Sequence, residues 1–135
     1  MHPEKMKNVL ALDAQKRLSY FVHKCTDSEE IWGLRNADGW CGMGTDDGKE
    51  SIPFWPEEAF AVLLAEDDWA DCTPARIPLE AFLMDWLPDM QEDGLLAAIF
   101  PLPTSAASGT DCVTLEAEHL RALLQEEREN FWGLA

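Results

Sequence analysis

The chain has 135 residues, ten of them lysine or arginine and 26 aspartate or glutamate, for a net charge of −16. That imbalance argues against nucleic acid and anionic lipid, both of which are held by clustered basic side chains. No run of about 18 apolar residues could span a membrane either. With 47% hydrophobic residues, six tryptophans and six phenylalanines, the chain is far richer in aromatics than disordered segments and long enough to bury a core as one domain.

In chain order, a short helix is expected around Glu4–Ala11, within an N-terminal arm of residues 1–12. Its basic start, Met1 to Lys7, is followed by no apolar signal region, so the expected location is the cytoplasm. A second helix begins at Asp13, whose side chain can accept from first-turn amides. Ala14, Leu18, Phe21, Val22 and Cys25 form its apolar stripe and leave Lys16, Arg17 and Lys24 outside. Glu30–Arg35 reads as a strand, Asp38-Gly39 as a turn, Trp40–Met43 as the returning strand, Asp46-Asp47-Gly48 as a second turn and Glu50–Trp55 as a third strand. Pro53 cannot donate to a ladder, which places it at an edge or a strand end.

Pro56 suits the first position of a helix, with Glu57 and Glu58 favoured by its dipole. Residues 66–77 read as an irregular loop anchored by Trp69 and Ile77. Pro78 opens a helix with Leu79, Phe82, Leu83, Trp86 and Leu87 on one face; Pro88 is expected to kink or end it, and Asp93-Gly94 stops any helix beyond that proline. Leu95–Phe100 is apolar without alternation, the pattern of a strand central in its sheet. Residues 104–110 form a polar loop, Cys112-Val113 a short strand, and Thr114 caps a final helix with Leu120, Leu123 and Leu124 inward. The predicted fold is α+β, with an antiparallel, meander-type sheet of about five strands and helices packed mainly on one face. The core spans residues 13–130, and 131–135 form a tail.

Taken together, these segments give the chain a likeness: it resembles a family of small bacterial proteins known only as domain of unknown function 2750. The resemblance is carried by Arg17–Val22, Ile31–Leu34 with Asp38-Gly39-Trp40, Ile52–Pro56 with Phe60-Ala61, Ile77-Pro78-Leu79 with Phe82, Trp86-Leu87-Pro88, and Asp93-Gly94 through Phe100-Pro101. It runs from about Asp13 to about Leu124. Such sequences tend to place a histidine after the Trp-Pro pair, where this chain has Glu57. The resemblance implies a shared fold and brings no activity.

Catalytic patterns are missing from the sequence. No phosphate-binding Gly-x-x-x-x-Gly-Lys and no Gly-x-Gly-x-x-Gly is found, and Ser105 and Ser108 lie outside any glycine elbow. His23 and Cys25, two apart on a helix, point about 200° apart. Asn36, Asp38, Asp46 and Asp47 lack the order of a calcium loop. Cys25, Cys41, Cys72 and Cys112 have no zinc spacing and read as free, partly buried thiols. No cofactor or metal is expected.

The remaining constellation is aromatic: Trp32, Trp40 and Trp55 on three strands, Trp69 in a loop, with Arg35 and Asp38 beside them. It is either a tryptophan-rich core or a surface for a partner or ligand. The leading expectation is a non-enzymatic interaction module, in one form immunity- or antitoxin-like, that meets a basic protein through its sheet and the Trp55-Pro56 corner, with acidic loops at Asp38, Asp46, Asp47, Asp67 and Asp68 setting partner choice. The alternative is a small-ligand binder or enzyme with a pocket near Trp40 and Trp55, in which Arg35 holds a carboxylate.

Overall fold

In a computed structural model of the chain, residues 3–36, 39–40, 43–44, 50–64, 72–102 and 111–132 are described. Helix α1 (Pro3–Leu10) is followed by α2 (Ala14–Ser28), β1 (Glu30–Asn36), β2 (Gly39–Trp40), β3 (Met43–Gly44), β4 (Glu50–Phe54) and α3 (Glu58–Leu64). Then come β5 (Thr73–Pro78), α4 (Leu79–Ala81), a π-helical turn (Phe82–Trp86), α5 (Leu87–Asp93), β6 (Leu96–Leu102), β7 (Asp111–Glu116) and α6 (Ala117–Trp132). The fold is α+β, but the single antiparallel meander is not what forms. One sheet has the order β2-β1-β5 and the other β3-β4-β6-β7, with β4 and β6 parallel. The expected returning strand at Trp40–Met43 is divided, since β2 pairs with β1 while β3 pairs with β4.

Among the described residues, one backbone bridge joins the two sheets. Trp55, just past the end of β4, exchanges both backbone hydrogen bonds with Trp32 of β1, at 2.9 and 2.8 Å. Pro53 therefore lies between the last rung with β3, at Ser51, and this bridge. Its missing amide falls in a gap in the ladder and not at an outer edge.

The segment expected to be irregular contains β5. Because Trp32 turns its amide and carbonyl toward Trp55, the alternate residues Ile31, Gly33 and Arg35 bond toward β5, opposite Ile77, Ala75 and Thr73. Pro74, Arg76 and Pro78 then face outward along the sheet's edge, and two of those three positions have no N–H to offer another strand. The prolines that make Thr73–Pro78 look like loop are tolerated for this reason.

Two helix ends follow the sequence and two do not. The Asp13 side chain accepts from the Lys16 amide at 2.9 Å, and α2 stops where Glu29 turns left-handed with φ 58°. Gly94 adopts φ 75° after α5, with its amide on the Gln91 carbonyl and that of Leu95 on Met90, a Schellman closure. Pro88 does not end its helix. The wider turn upstream, where the Leu87 amide reaches back to the Phe82 carbonyl, changes the spacing just where proline would meet the preceding turn. Thr114 belongs to β7, three residues before α6 begins, and does not cap that helix.

The core gathers Phe21 and Cys25 from α2, Ile31 and Leu34 from β1, Phe54 and Trp55, Phe60, Phe82, Leu83 and Leu87, Ala97–Phe100, and Leu120 and Leu124 from α6. Phe54 and Phe82 meet edge to face with centroids 4.8 Å apart, and Phe60 and Phe100 lie 4.7 Å apart. Strand β6 is central in its sheet, as its continuous apolar run implies. The cysteines are not the uniform set of free thiols expected: Cys25 is free and fully buried, whereas Cys72 is disulfide-bonded.

Arg17, expected outside, is 2% exposed. Its Nε donates to the Phe100 carbonyl at 3.3 Å and its Nη1 to the Leu12 carbonyl at 2.7 Å. Phe100 has φ 53°, where β6 and β7 shift register between Ile99 and Leu102. A bulky residue in that region costs about 1–3 kcal/mol, and the guanidinium satisfies the carbonyl that the bulge turns out of the ladder. Arg17→Ala is expected to lower the unfolding free energy by about 3 kcal/mol, by stranding buried carbonyls and leaving a cavity. Urea unfolding measures this as a lower midpoint at unchanged slope.

Candidate functional site

Of the residues singled out by the sequence, the side chains of Trp32, Arg35 and Trp55 are described. Trp55 is completely buried and belongs to the core, so the expected Trp55-Pro56 corner does not present its indole at the surface. Trp32 is partly buried against the same core. Arg35 is exposed on β1, opposite Trp40 of β2 in register. Asp38, Trp69 and the acidic loops at Asp46, Asp47, Asp67 and Asp68 lie outside the described residues. His23 and His119 are both exposed, and His23 Nδ1 lies 3.1 Å from Glu127 Oε1.

Two other groupings emerge. The first is centred on Glu57, in the turn that leads into α3. Tyr20 and Lys24, four residues apart and thus on one side of α2, both reach it. The Tyr20 hydroxyl donates to Glu57 Oε2 at 3.3 Å, while Lys24 Nζ lies 3.6 Å from Oε1. Lys5 of α1 adds a third contact at 3.3 Å. The Tyr20 ring packs edge-on against Phe60 and tilted against Phe100. Burial, and then the neighbouring Glu57 carboxylate, push the Tyr20 phenol up to about 12. Burial likewise raises the Cys25 thiol well above its ordinary range, with Glu30 and Glu57 adding to the effect, so it is a poor nucleophile. The sequence signal for this grouping is the Tyr20–Lys24 spacing together with the carboxylate after Trp55-Pro56. Their meeting depends on contacts 37 residues apart.

The second grouping is a helical layer. Gln91 Oε1 accepts from the Glu118 amide at 3.0 Å, and Arg128 Nη2 reaches Glu80 Oε2 at 3.2 Å. Residues late in α5 thus meet the start of α6, and residues in α4 meet its far half, so α4–α5 runs antiparallel to α6. On the solvent side of this layer stand Glu80, Asp85, Asp89, Glu92 and Asp93, then Glu118, Glu126 and Glu129, with Glu127 half-buried beside them. Met84 is exposed in the same layer, at 60%. Arg121 contacts Glu118 at 3.4 Å. Among the described residues, no group of three or more histidine, cysteine or acidic side chains is arranged to hold a metal ion, and no helix is long and apolar enough to cross a membrane.

The profile of the family described as "Protein of unknown function (DUF2750)" matches residues 18–124. No relative among curated proteins matches the chain. Of solved structures, that of Anabaena Tic22, titled protein transport, is similar over 70% of this chain and 49% of its own length, at 12% identity and a TM-score of 0.38. The chain thus spans about half of that protein, and at this level the likeness decides neither fold nor function.

The chain has a single tyrosine, so its phenol can be followed without interference. Titration of absorbance at 295 nm is expected to have its midpoint near 12 and to move down in Glu57→Gln, though short of the ordinary 10.0, because burial is the larger cause. The folded protein holds this proton more tightly than the unfolded chain. That contribution to stability is complete below pH 10 and is lost as pH rises through about 12.

Proposed function

The chain belongs to the DUF2750 family, which has no assigned activity, and for it we propose a non-enzymatic role as an interaction module that receives a basic partner on the layer formed by α4, α5 and α6. The observation that supports this reading is the crowding of carboxylates on one antiparallel pair of helical segments, with a methionine exposed at 60% among them. Carboxylates at this density repel one another. Lysine or arginine side chains from a partner relieve that repulsion and speed its approach. An apolar contact at Met84 supplies the part of the affinity that charge, screened over about 10 Å at 0.1 M salt, does not. Thioether side chains adapt to varied apolar neighbours, which suits such a contact.

The place of docking differs from the sheet and Trp55-Pro56 corner expected from the sequence, and the partner class is the same. A narrower form, in which the partner is a basic toxin neutralised by this protein, rests on charge alone. Inside a cell, the net charge of −16 would favour any basic surface at long range, so specificity has to come from the layer's own shape.

The test compares tagged wild-type protein with Met84→Glu and with the double variant Asp85→Lys, Asp89→Lys, each incubated in lysate at low and high salt. None of the three positions belongs to the buried core, so the fold is expected to persist, as checked by thermal melting. The expected outcome is one stoichiometric basic protein with the wild type, lost at high salt and reduced about tenfold or more by either variant, since a centrally buried contact is worth about 1.4 kcal/mol or above. Equal recovery by all three proteins would remove the helical layer as the docking surface.

A further inference from the structure

We propose that helix α1 is a strap that opens separately from the rest of the domain, hinged at Leu12, and that its opening frees the Glu57 carboxylate from Lys5 for a basic side chain of a partner. The strap is distinct from the docking layer of α4–α6 and does not depend on it.

Among the described residues, no neighbouring element packs closely along the backbone of α1. Of the described side chains of α1, Val9 is buried while Glu4, Lys5, Lys7 and Asn8 are exposed. Lys5 and Val9 are four residues apart and so share one side of the helix. Val9 joins the core, and Lys5 reaches Glu57 at 3.3 Å with its own side chain 47% exposed. Eight residues are too few to stay helical in water without support. Undocking and unwinding of α1 are therefore one event.

The hinge is pinned. Helix α1 closes with the Ala11 amide on Lys7 and the Leu12 amide on Val9, both at 3.1 Å. Immediately beyond, the buried Arg17 holds the Leu12 carbonyl at 2.7 Å, and Asp13 starts α2 as its cap. Leu12 itself packs against the core. Motion of residues 3–10 is thereby separated from α2, which has a fully buried face at Phe21 and Cys25.

The carboxylate beneath the strap gives the opening a consequence. Glu57 receives Lys5, Lys24 and the Tyr20 hydroxyl. Of these, Lys24 and Tyr20 belong to α2 and stay in place when α1 lifts. The vacated position beside Oε1 then matches the reach of a lysine or arginine from outside, and such a partner would hold α1 open by competing for the same carboxylate.

Hydrogen–deuterium exchange of the full-length protein, read by mass spectrometry at segment resolution, tests this. The bonded amides of residues 7–11 are expected to exchange at least about 100-fold faster than those of residues 21–25, as separate opening units do. Lys5→Ala is expected to quicken exchange in residues 7–11 by about two- to fivefold, in keeping with one exposed ion pair. Val9→Ala should quicken it by about tenfold. Neither should alter protection in residues 21–25. A common exchange rate for both segments would overturn the proposal, because α1 would then open only when the whole domain unfolds. So would unchanged exchange at residues 7–11 in Lys5→Ala.

Discussion

Two hydrogen bonds between Trp32 and Trp55 tie the two sheets of this fold to each other. Each tryptophan sits on a different sheet, and their mutual bridge is the backbone pairing through which β4 continues onto β1. With both bonds at 2.8–2.9 Å and the Trp55 indole fully buried, the junction combines polar satisfaction with a large apolar burial. A buried amide or carbonyl without a partner costs about 1–3 kcal/mol, so neither sheet can slide past the other without stranding groups that no solvent reaches. The aromatic cluster of Phe54, Phe82 and Trp86 is placed by the same junction, since Phe54 is the residue before Trp55.

Helix α2 links that core to the Glu57 site and to the helical layer. From one helix, Phe21 and Cys25 fill the interior, Arg17 supports the bulge at Phe100 and anchors Leu12, and Tyr20 and Lys24 gather at Glu57. His23, on the exposed side, meets Glu127 of α6. A helix that must meet the core, a strained carbonyl and a surface carboxylate has little freedom to rotate. That constraint gives the Glu57 site its geometry and makes Leu12 a fixed point for the segment before it.

The helical layer answers a different requirement. The apolar residues Leu83, Leu87, Met90, Leu120 and Leu124 draw α4, α5 and α6 onto the core, and the side chains left outside are mostly carboxylates. The layer tolerates this because Arg121 and Arg128 tie into it at Glu118 and Glu80, pairs that are partly exposed and individually weak. The residual negative field is therefore a surface property available for recognition, obtained at little cost to the fold.

Much was legible from local physics. The cap at Asp13, the stop at Gly94, the buried stripe of Leu79, Phe82, Leu83 and Leu87, and a central strand read at Leu95–Phe100 all come from periodicity and terminal chemistry, which act over a few residues. The membership of the family was legible too, from ordered fragments between Asp13 and Leu124. Other features lay beyond local reading. Proline is ambiguous in sequence: at Pro74 and Pro78 it marks the outward side of an edge strand, and at Pro88 it sits within a helix relieved by a wider turn upstream. Arg17 reads as a surface residue until the Phe100 bulge supplies a buried carbonyl 83 positions away. The division of Trp40–Met43 between two sheets, the parallel pairing of β4 with β6, and the meeting of Tyr20, Lys24 and Glu57 are likewise decided by which distant backbone groups must be satisfied once the core closes. The sequence alone determined the class of fold, the place of several helices and strands and the acidic charge, because those depend on residue type and spacing. Only the tertiary structure decided which tryptophans are interior and which side chains share a site, because burial is a property of the assembled core.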